Sequence, residues 1–129
     1  MTSYHFSKEL SLPFDQAIER VTDALKEQGF GVLTTIDVKT TLKNKIDVDF
    51  RPYTILGACN PTFAYQALQE EDKIGTMLPC NVVVQQKEDG RVEVSAVDPA
   101  ASMQAIDNTA LIDIARQVQQ LLKSTIDNL

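Results

Sequence analysis

Several residue types are scarce or absent in this chain of 129 residues. It contains no tryptophan, one histidine and two cysteines. Two cysteines are too few for a disulfide-stapled fold, and together with the histidine they supply at most three soft metal ligands per chain. Apolar runs are also short, since none approaches the roughly 20 residues that a transmembrane helix needs. The sequence therefore excludes a disulfide scaffold and predicts no membrane-spanning segment.

Positive charge is in deficit as well. Lys and Arg number 12 against 18 Asp and Glu, which gives a net charge of −6. Because this charge repels phosphate backbones, we expect no nucleic-acid partner. Hydrophobic residues make up 43% and charged residues 23%, which is typical of a folded globular protein. The length fits a single domain spanning residues 1–129.

The N-terminal segment lacks the features of a secretory signal. Its first residues contain no basic stretch followed by an apolar run. We therefore expect a cytoplasmic location, where the thiols of Cys59 and Cys80 are reduced.

Hydrophobic periodicity predicts the element order β-α-β-β-β-β-α, with short helical inserts after strands 2, 3 and 5. The inserts after strands 3 and 5 open with Asn60-Pro61 and Asp98-Pro99, each a capping residue followed by proline at the first helical position. Asn108 is predicted to cap a long C-terminal helix. Consecutive strands between helices favour the α+β class with a mainly antiparallel sheet. The predicted strands are residues 4–10, 32–38, 53–59, 81–87 and 92–97, and the two long helices are residues 14–28 and 109–127.

The dipeptide Asp89-Gly90 predicts a tight hairpin between the fourth and fifth strands, with positive φ at both turn residues. Apolar residues are predicted on both faces of this hairpin. Because the two long helices cover one face only, the other face needs the inserts, a partner chain or a ligand. One predicted face carries Val83, Val94 and Ala96, and the other carries Val82, Val84 and Val97.

Two Cys-Asn pairs form the candidate site. Cys59-Asn60 closes the third predicted strand, and Cys80-Asn81 opens the fourth. If these strands pair antiparallel with Cys59 opposite Cys80, two thiols and two carboxamides meet at one edge of the sheet. Gly57 permits close approach of another backbone or a ligand there. In this register Tyr53, Ile55 and Gly57 share a face with Val82 and Val84.

Three chemistries are open to these thiols. Cys59 precedes a helix N-terminus, where the helix dipole favours a thiolate nucleophile or redox thiol. Two thiols at bonding distance form a reversible disulfide, and four thiols across a dimer axis hold zinc. The alternative is structural: both cysteines are small buried hydrophobes, Asn60 is a helix cap and Asn81 holds the loop backbone.

Six short segments in chain order resemble one known family. They are Gly29-Phe30-Gly31-Val32-Leu33, Ile36-Asp37-Val38, Thr41-Leu42-Lys43, residues 56–61, residues 78–84 and Val97-Asp98-Pro99. Together they resemble the prokaryotic family catalogued as domain of unknown function 302, over nearly the whole chain. The two Cys-Asn segments are the most specific parts of the match.

The resemblance implies a fold similar to the TATA-box-binding-protein type, with a helix after the first strand, a curved antiparallel sheet and a long final helix. It also implies a homodimer. It implies no DNA binding, because fold does not carry function, and it supplies no catalytic residues. The family's motifs indicate that the residues important for its function are Cys59, Asn60, Pro61, Cys80 and Asn81.

The leading hypothesis is a dimeric binding or sensory module. It would hold a small ligand or a soft metal at the edge formed by Cys59, Asn60, Cys80 and Asn81, with Cys59 and Cys80 as the metal ligands. The first alternative is a thiol-dependent enzyme or redox protein with Cys59 as the thiolate and Cys80 as its partner. The second alternative is a purely structural or interaction domain. No cofactor is identified by the sequence.

Overall fold

The predicted order of elements is confirmed by the computed structural model, which describes residues 3–129. The chain is an α+β protein with an antiparallel sheet and a long C-terminal helix. One short 3₁₀ turn, Ile74–Met77, falls where the sequence predicts a loop. The strands are β1 His5–Leu10, β2 Gly31–Asp37, β3 Tyr53–Cys59, β4 Cys80–Gln86 and β5 Val92–Val97; the helices are α1 Phe14–Glu27, α2 Val38–Ile46, α3 Pro61–Glu70, α4 Pro99–Ser102 and α5 Thr109–Asp127.

Side-chain caps begin three of the helices as predicted. The side chains of Asn60, Asp98 and Asn108 accept hydrogen bonds from backbone N–H groups in the first turns of α3, α4 and α5. Each cap satisfies a donor that the start of a helix leaves without an intrahelical partner. The end of α1 is set by Gly29, whose φ of +85° suits glycine.

The sheet has the strand order β1-β5-β4-β3-β2, and all neighbouring strands are antiparallel. The main core lies between one face of this sheet and the helices α1 and α5. Within residues 3–129, no helix combines the length and the apolar character needed to span a membrane. Fully buried residues of the main core include Val82, Val84, Val94, Ala96, Val21, Leu25 and Leu122.

The hairpin between β4 and β5 is present, but its turn differs from the predicted one. Only Gly90 has positive φ (+89°), and its N–H donates to Lys87 O at 2.9 Å. Lys87 N–H donates to Arg91 O at 2.8 Å, so three residues form the loop. This geometry is typical of a type I turn followed by a left-handed glycine.

The extra loop residue shifts the β4–β5 register by one. Val82 lies opposite Ala96, and Val84 lies opposite Val94, so all four face the core. The predicted assignment of these residues to opposite faces is therefore wrong, because a shift of one residue moves side chains to the other face. Val83 and Val97 point to the other side of the sheet, where both are partly exposed.

A second, smaller apolar cluster lies beside the main core. It is built where α3, the 3₁₀ turn, the end of α4 and the start of α5 meet. Ile114 packs against both clusters. The buried members of the second cluster are Ala67, Ile74, Met103, Leu111 and Ala115.

Candidate functional site

The β3–β4 ladder brings the two Cys-Asn segments together in a register that differs from the predicted one. Ala58 lies opposite Cys80, and Gly57 lies opposite Asn81. The prediction that Cys59 faces Cys80 is therefore wrong by one residue. The predicted shared face is therefore wrong as well. Tyr53, Ile55 and Gly57 lie opposite Gln85, Val83 and Asn81 and share a face with these residues. Val82 and Val84 lie on the other face of the sheet.

Cys59 and Cys80 nevertheless line the same cavity. Its volume is about 40 Å³, and it lies at the end of β3 and the start of β4, under α3 and the first half of α5. Cys59 is half-buried, and Cys80 is 8% exposed. The strand register separates these residues by one position, and the turn from β3 into α3 brings both to the cavity wall.

The two asparagines are placed differently from each other. Asn60 lines the cavity, and its side-chain oxygen accepts a hydrogen bond from Phe63 N at 3.5 Å as the cap of α3. Its amide also lies against Gly29. Asn81 is exposed and does not line this cavity. The structure therefore brings Cys59, Asn60 and Cys80 to one cavity, whereas Asn81 lies opposite Gly57, on the other face of β4.

The cavity wall is almost entirely apolar. Among its lining residues, all within the described part of the chain, Asn60 alone carries an amide, hydroxyl or charged side chain. An apolar cavity of this volume holds about three water molecules at most and is expected to stay dry. The wall favours an apolar guest.

The cavity lies at the seam between the two apolar clusters. Phe30, Ala58 and Val118 belong to the main core, whereas Met103 and Leu111 belong to the second cluster. All five line the cavity. Leu111 and Ala115 belong to α5, which also packs in the main core, whereas Ala67, Ile74 and Met103 belong to shorter elements. Displacement of these shorter elements away from α5 would widen the space at this seam.

Burial controls the acidity of both thiols. It raises the pKa of Cys59. It also raises the pKa of Cys80 to about 11, and the nearby Cys59 adds to this rise. The dipole of α3 was expected to lower the pKa of Cys59, but loss of solvation dominates. Both thiols are therefore neutral near pH 7.

The described residues offer little for a metal ion. Between Ser3 and Leu129, no group of three or more His, Cys, Asp or Glu side chains is arranged to hold one. The two thiols are the available soft ligands at this site, and both would have to lose a proton on binding. A metal bound here would need further ligands from another chain.

Gly57 permits a close approach, as predicted, but the approaching groups belong to the protein itself. A Cβ at this position would meet the Thr34 hydroxyl, and it would lie 2.8 Å from Pro79 Cγ. The absence of a side chain lets the β2 side chain and the loop before β4 pack over β3. Gly57 therefore positions the wall of the site and leaves no space of its own for a ligand.

Sequence reasoning missed the helical half of the cavity. Ala64 and Ala67 of α3 line it together with Ala115 of α5. Leu111 and Val118 of α5 are buried in the second cluster and in the main core, and both line the cavity as well. The overlooked signal is the set of alanines on the facing sides of two helices, because small side chains leave space where larger ones would fill it.

Comparisons with known proteins point to one family. The sequence model of the family described as "Domain of unknown function DUF302" matches residues 6–129. The chain is also similar to an uncharacterized conserved DUF302 protein from Bacillus stearothermophilus, known from its crystal structure. The two are 32% identical, the match covers 98% of each chain, and the TM-score is 0.90. No curated protein matches the sequence.

Proposed function

The chain belongs to the DUF302 family, and on that premise we propose that it is a binding protein for a small apolar molecule. The ligand would enter the cavity beside Cys59 and Cys80. The observation that carries this proposal is the composition of the wall, in which apolar side chains and two neutral thiols surround a space of about 40 Å³. We propose further that residues 1–129 act as one domain, as a cytoplasmic homodimer without a nucleic-acid partner.

An apolar ligand fits this wall for two physical reasons. Atoms that line an empty cavity lack dispersion contacts on the side of the cavity, and a bound molecule restores these contacts. Neutral thiols are soft and polarizable, so they contact apolar groups without a large desolvation cost. A molecule larger than a few atoms would require α3, the 3₁₀ turn and Met103 to move away from α5 and the main core. Ligand size therefore reports on the mobility of these short elements.

Thiolate catalysis and soft-metal binding are less well supported by the site. Catalysis by a Cys59 thiolate needs a lowered pKa, and burial raises it. A soft metal needs two deprotonated thiols, and the pKa of Cys80 lies near 11. Both remain outcomes of the experiment below, because a bound metal or a covalent adduct adds a recognisable mass.

The proposal is tested by native mass spectrometry of the protein purified under reducing conditions. We expect a dimer that carries extra mass, and loss of this mass on denaturation identifies a non-covalent small molecule. Extra mass equal to a metal ion supports the soft-metal alternative. A dimer without extra mass is then exposed to xenon, a single-atom probe that enters dry apolar cavities.

A matched pair of alanine substitutions assigns binding to the cavity. Ala64 lines the cavity, whereas Ala110 is exposed on α5. In Ala64→Leu the added side chain fills the space, so probe binding should fall, while Ala110→Leu should bind as the original protein does. Equal probe binding by both variants, or no binding by the original protein, contradicts the proposal.

A further inference from the structure

A groove on the protein surface adjoins the cavity. This space, here called the outer groove, has a volume of about 250 Å³ and lies between residues 76–79, the first residues of β4 and α4. The cavity and the outer groove share the lining residues that form the wall between them: Leu78, Pro79, Cys80, Pro99 and Met103. A molecule too large for the cavity therefore has an adjoining space into which it extends.

Met103 is the most adaptable part of this shared wall. It follows α4 directly, and its side chain is 5% exposed. A methionine side chain is unbranched and has three rotatable bonds, so it repacks more readily than the other side chains of the wall. The rings of Pro79 and Pro99 have no comparable freedom. A change of the Met103 rotamer would therefore join the cavity to the outer groove without displacing a strand.

The outer groove differs from the cavity in carrying several polar side chains. Thr76, Asn81 and Ser102 line it, and all three are exposed. The Thr76 hydroxyl donates to Lys73 O at 2.9 Å. The Ser102 hydroxyl donates to Pro99 O at 3.1 Å. Because both hydroxyl hydrogens are engaged, these two side chains offer their oxygens to a ligand as hydrogen-bond acceptors.

Asn81 supplies the hydrogen-bond donor of the outer groove. No side-chain hydrogen bond among residues 3–129 engages its amide, and the residue lies opposite Gly57 at the start of β4. A carboxamide carries two N–H donors and one carbonyl acceptor. Asn81, which the sequence places in the candidate site and the cavity leaves outside, is thus available to a ligand from the groove.

The described lining of the outer groove contains no charged side chain. The nearby carboxylate of Asp98 is engaged, because it accepts from the amide of Gln119 at 3.0 Å and from Ala100 N at 3.0 Å. A charged group that left water for this groove would lose hydration without gaining an opposite charge. The outer groove therefore favours an uncharged group that both donates and accepts hydrogen bonds, as a hydroxyl does.

We propose that the ligand is amphipathic, with an apolar end in the cavity and an uncharged hydroxyl end in the outer groove, bound by Asn81. This inference rests on the proposed function, since the apolar end occupies the same cavity. Met103 changes rotamer to admit the chain between the two ends. Together the two spaces come close to the volume at which small-molecule sites begin, roughly 300 Å³.

Nuclear magnetic resonance of the protein with xenon and with 1-hexanol tests this arrangement. The Ala64 methyl signal reports on the cavity, and the Asn81 side-chain amide signal reports on the outer groove. We expect both probes to shift the Ala64 signal, and 1-hexanol alone to shift the Asn81 signal. Hexanoate and hexylammonium carry the same chain with a charged end, and both should bind about tenfold more weakly than 1-hexanol or worse. Tighter binding of either ion contradicts the uncharged end.

A matched pair of asparagine substitutions tests the role of Asn81. Asn81→Ala removes the amide from the outer groove, whereas Asn44→Ala removes an exposed amide from α2. We expect the dissociation constant of 1-hexanol to rise about threefold to tenfold in Asn81→Ala, which is the effect of one lost hydrogen bond. It should stay unchanged in Asn44→Ala, and xenon should bind equally to both variants.

The two probes separate failure of this inference from failure of the proposed function. If xenon binds and 1-hexanol does not, or if 1-hexanol shifts the Ala64 signal and leaves the Asn81 signal unchanged, the amphipathic ligand is wrong and the cavity proposal stands. Equal affinities of the two asparagine variants for 1-hexanol have the same meaning. If neither probe shifts the Ala64 signal, both proposals are wrong.

Discussion

The Gln119 side-chain amide donates hydrogen bonds to both carboxylate oxygens of Asp98, at 3.0 and 3.1 Å. The same carboxylate caps α4, because it also accepts from the N–H groups of Ala100 and Ala101. One side chain therefore starts α4 and ties it to α5. Both helices contribute to the cavity wall, so this contact holds part of the second cluster in place.

We expect Asp98→Ala to destabilise the protein by about 1–2 kcal/mol, since it removes a helix cap together with a charge-assisted hydrogen bond. Gln119→Ala removes only the link between the helices and should cost about 0.5–1.5 kcal/mol. Urea unfolding followed by circular dichroism measures both. Gln117→Ala on the exposed side of α5 is the control, expected within about 0.5 kcal/mol of the original. If Gln119→Ala is as neutral as this control, the link does not contribute.

Local sequence signals predicted the helices well. Asn60, Asp98 and Asn108 act within one turn of their own position, so a capping residue with a following apolar pattern is enough to place a helix start. The order of elements and the α+β class follow from the same local patterns. The cap at Asn60 also placed the first residues of the candidate site.

Register could not be predicted in the same way. The β4–β5 loop contains one more residue than the Asp89-Gly90 pair suggested, and this moved Val94 and Ala96 to the face of Val82. The pairing of Ala58 with Cys80 involves residues far apart in the chain, where no local signal distinguishes neighbouring registers. The alanine-lined wall of the cavity was not predicted for a related reason, since it depends on how two helices that are distant in the chain pack together.

Gly57 tests the packing over the site. A methyl group there would meet Thr34 and Pro79, so Gly57→Ala should destabilise the protein by about 1–3 kcal/mol. Gly75 has open space at the corresponding position, and Gly75→Ala should have little effect on stability. Adding Thr34→Ala to Gly57→Ala removes part of the clash and should recover part of the loss. Equal unfolding free energies for the two glycine variants would contradict this account.

Because its thiol is buried, Cys80 should make the folded protein less stable at alkaline pH. Burial raises the pKa of this thiol from 9.0 to about 11 in the folded protein. Between the pKa of the unfolded chain and the higher pKa of the folded protein, the folded state holds the thiol proton more tightly. The free energy of unfolding is therefore highest below the unfolded-state pKa and falls as pH rises towards the folded-state pKa. A rise of this size corresponds to about 2–3 kcal/mol, lost between roughly pH 9 and pH 11.

The measurement for Cys80 compares urea unfolding at pH 8 and pH 10.5 in the presence of a reductant. Lysines and tyrosines also titrate in this range, so the original protein is compared with Cys80→Ala, which lacks the thiol. We expect the original protein to lose more stability between the two pH values than the variant does. Identical losses would show that Cys80 does not carry the effect.

Thiol reactivity separates the binding protein from the thiolate alternative. Burial raises the pKa of Cys59, so its reaction with a disulfide reagent at pH 7 should be slower than that of the urea-unfolded chain and should accelerate above pH 9. Each thiol is followed alone, Cys59 in the Cys80→Ala variant and Cys80 in the Cys59→Ala variant. Cys80 is 8% exposed and should react more slowly still. A Cys59 that reacts rapidly at pH 6 and keeps the same rate at pH 8 would carry a lowered pKa, and the thiol-dependent enzyme would then be the better description of this site.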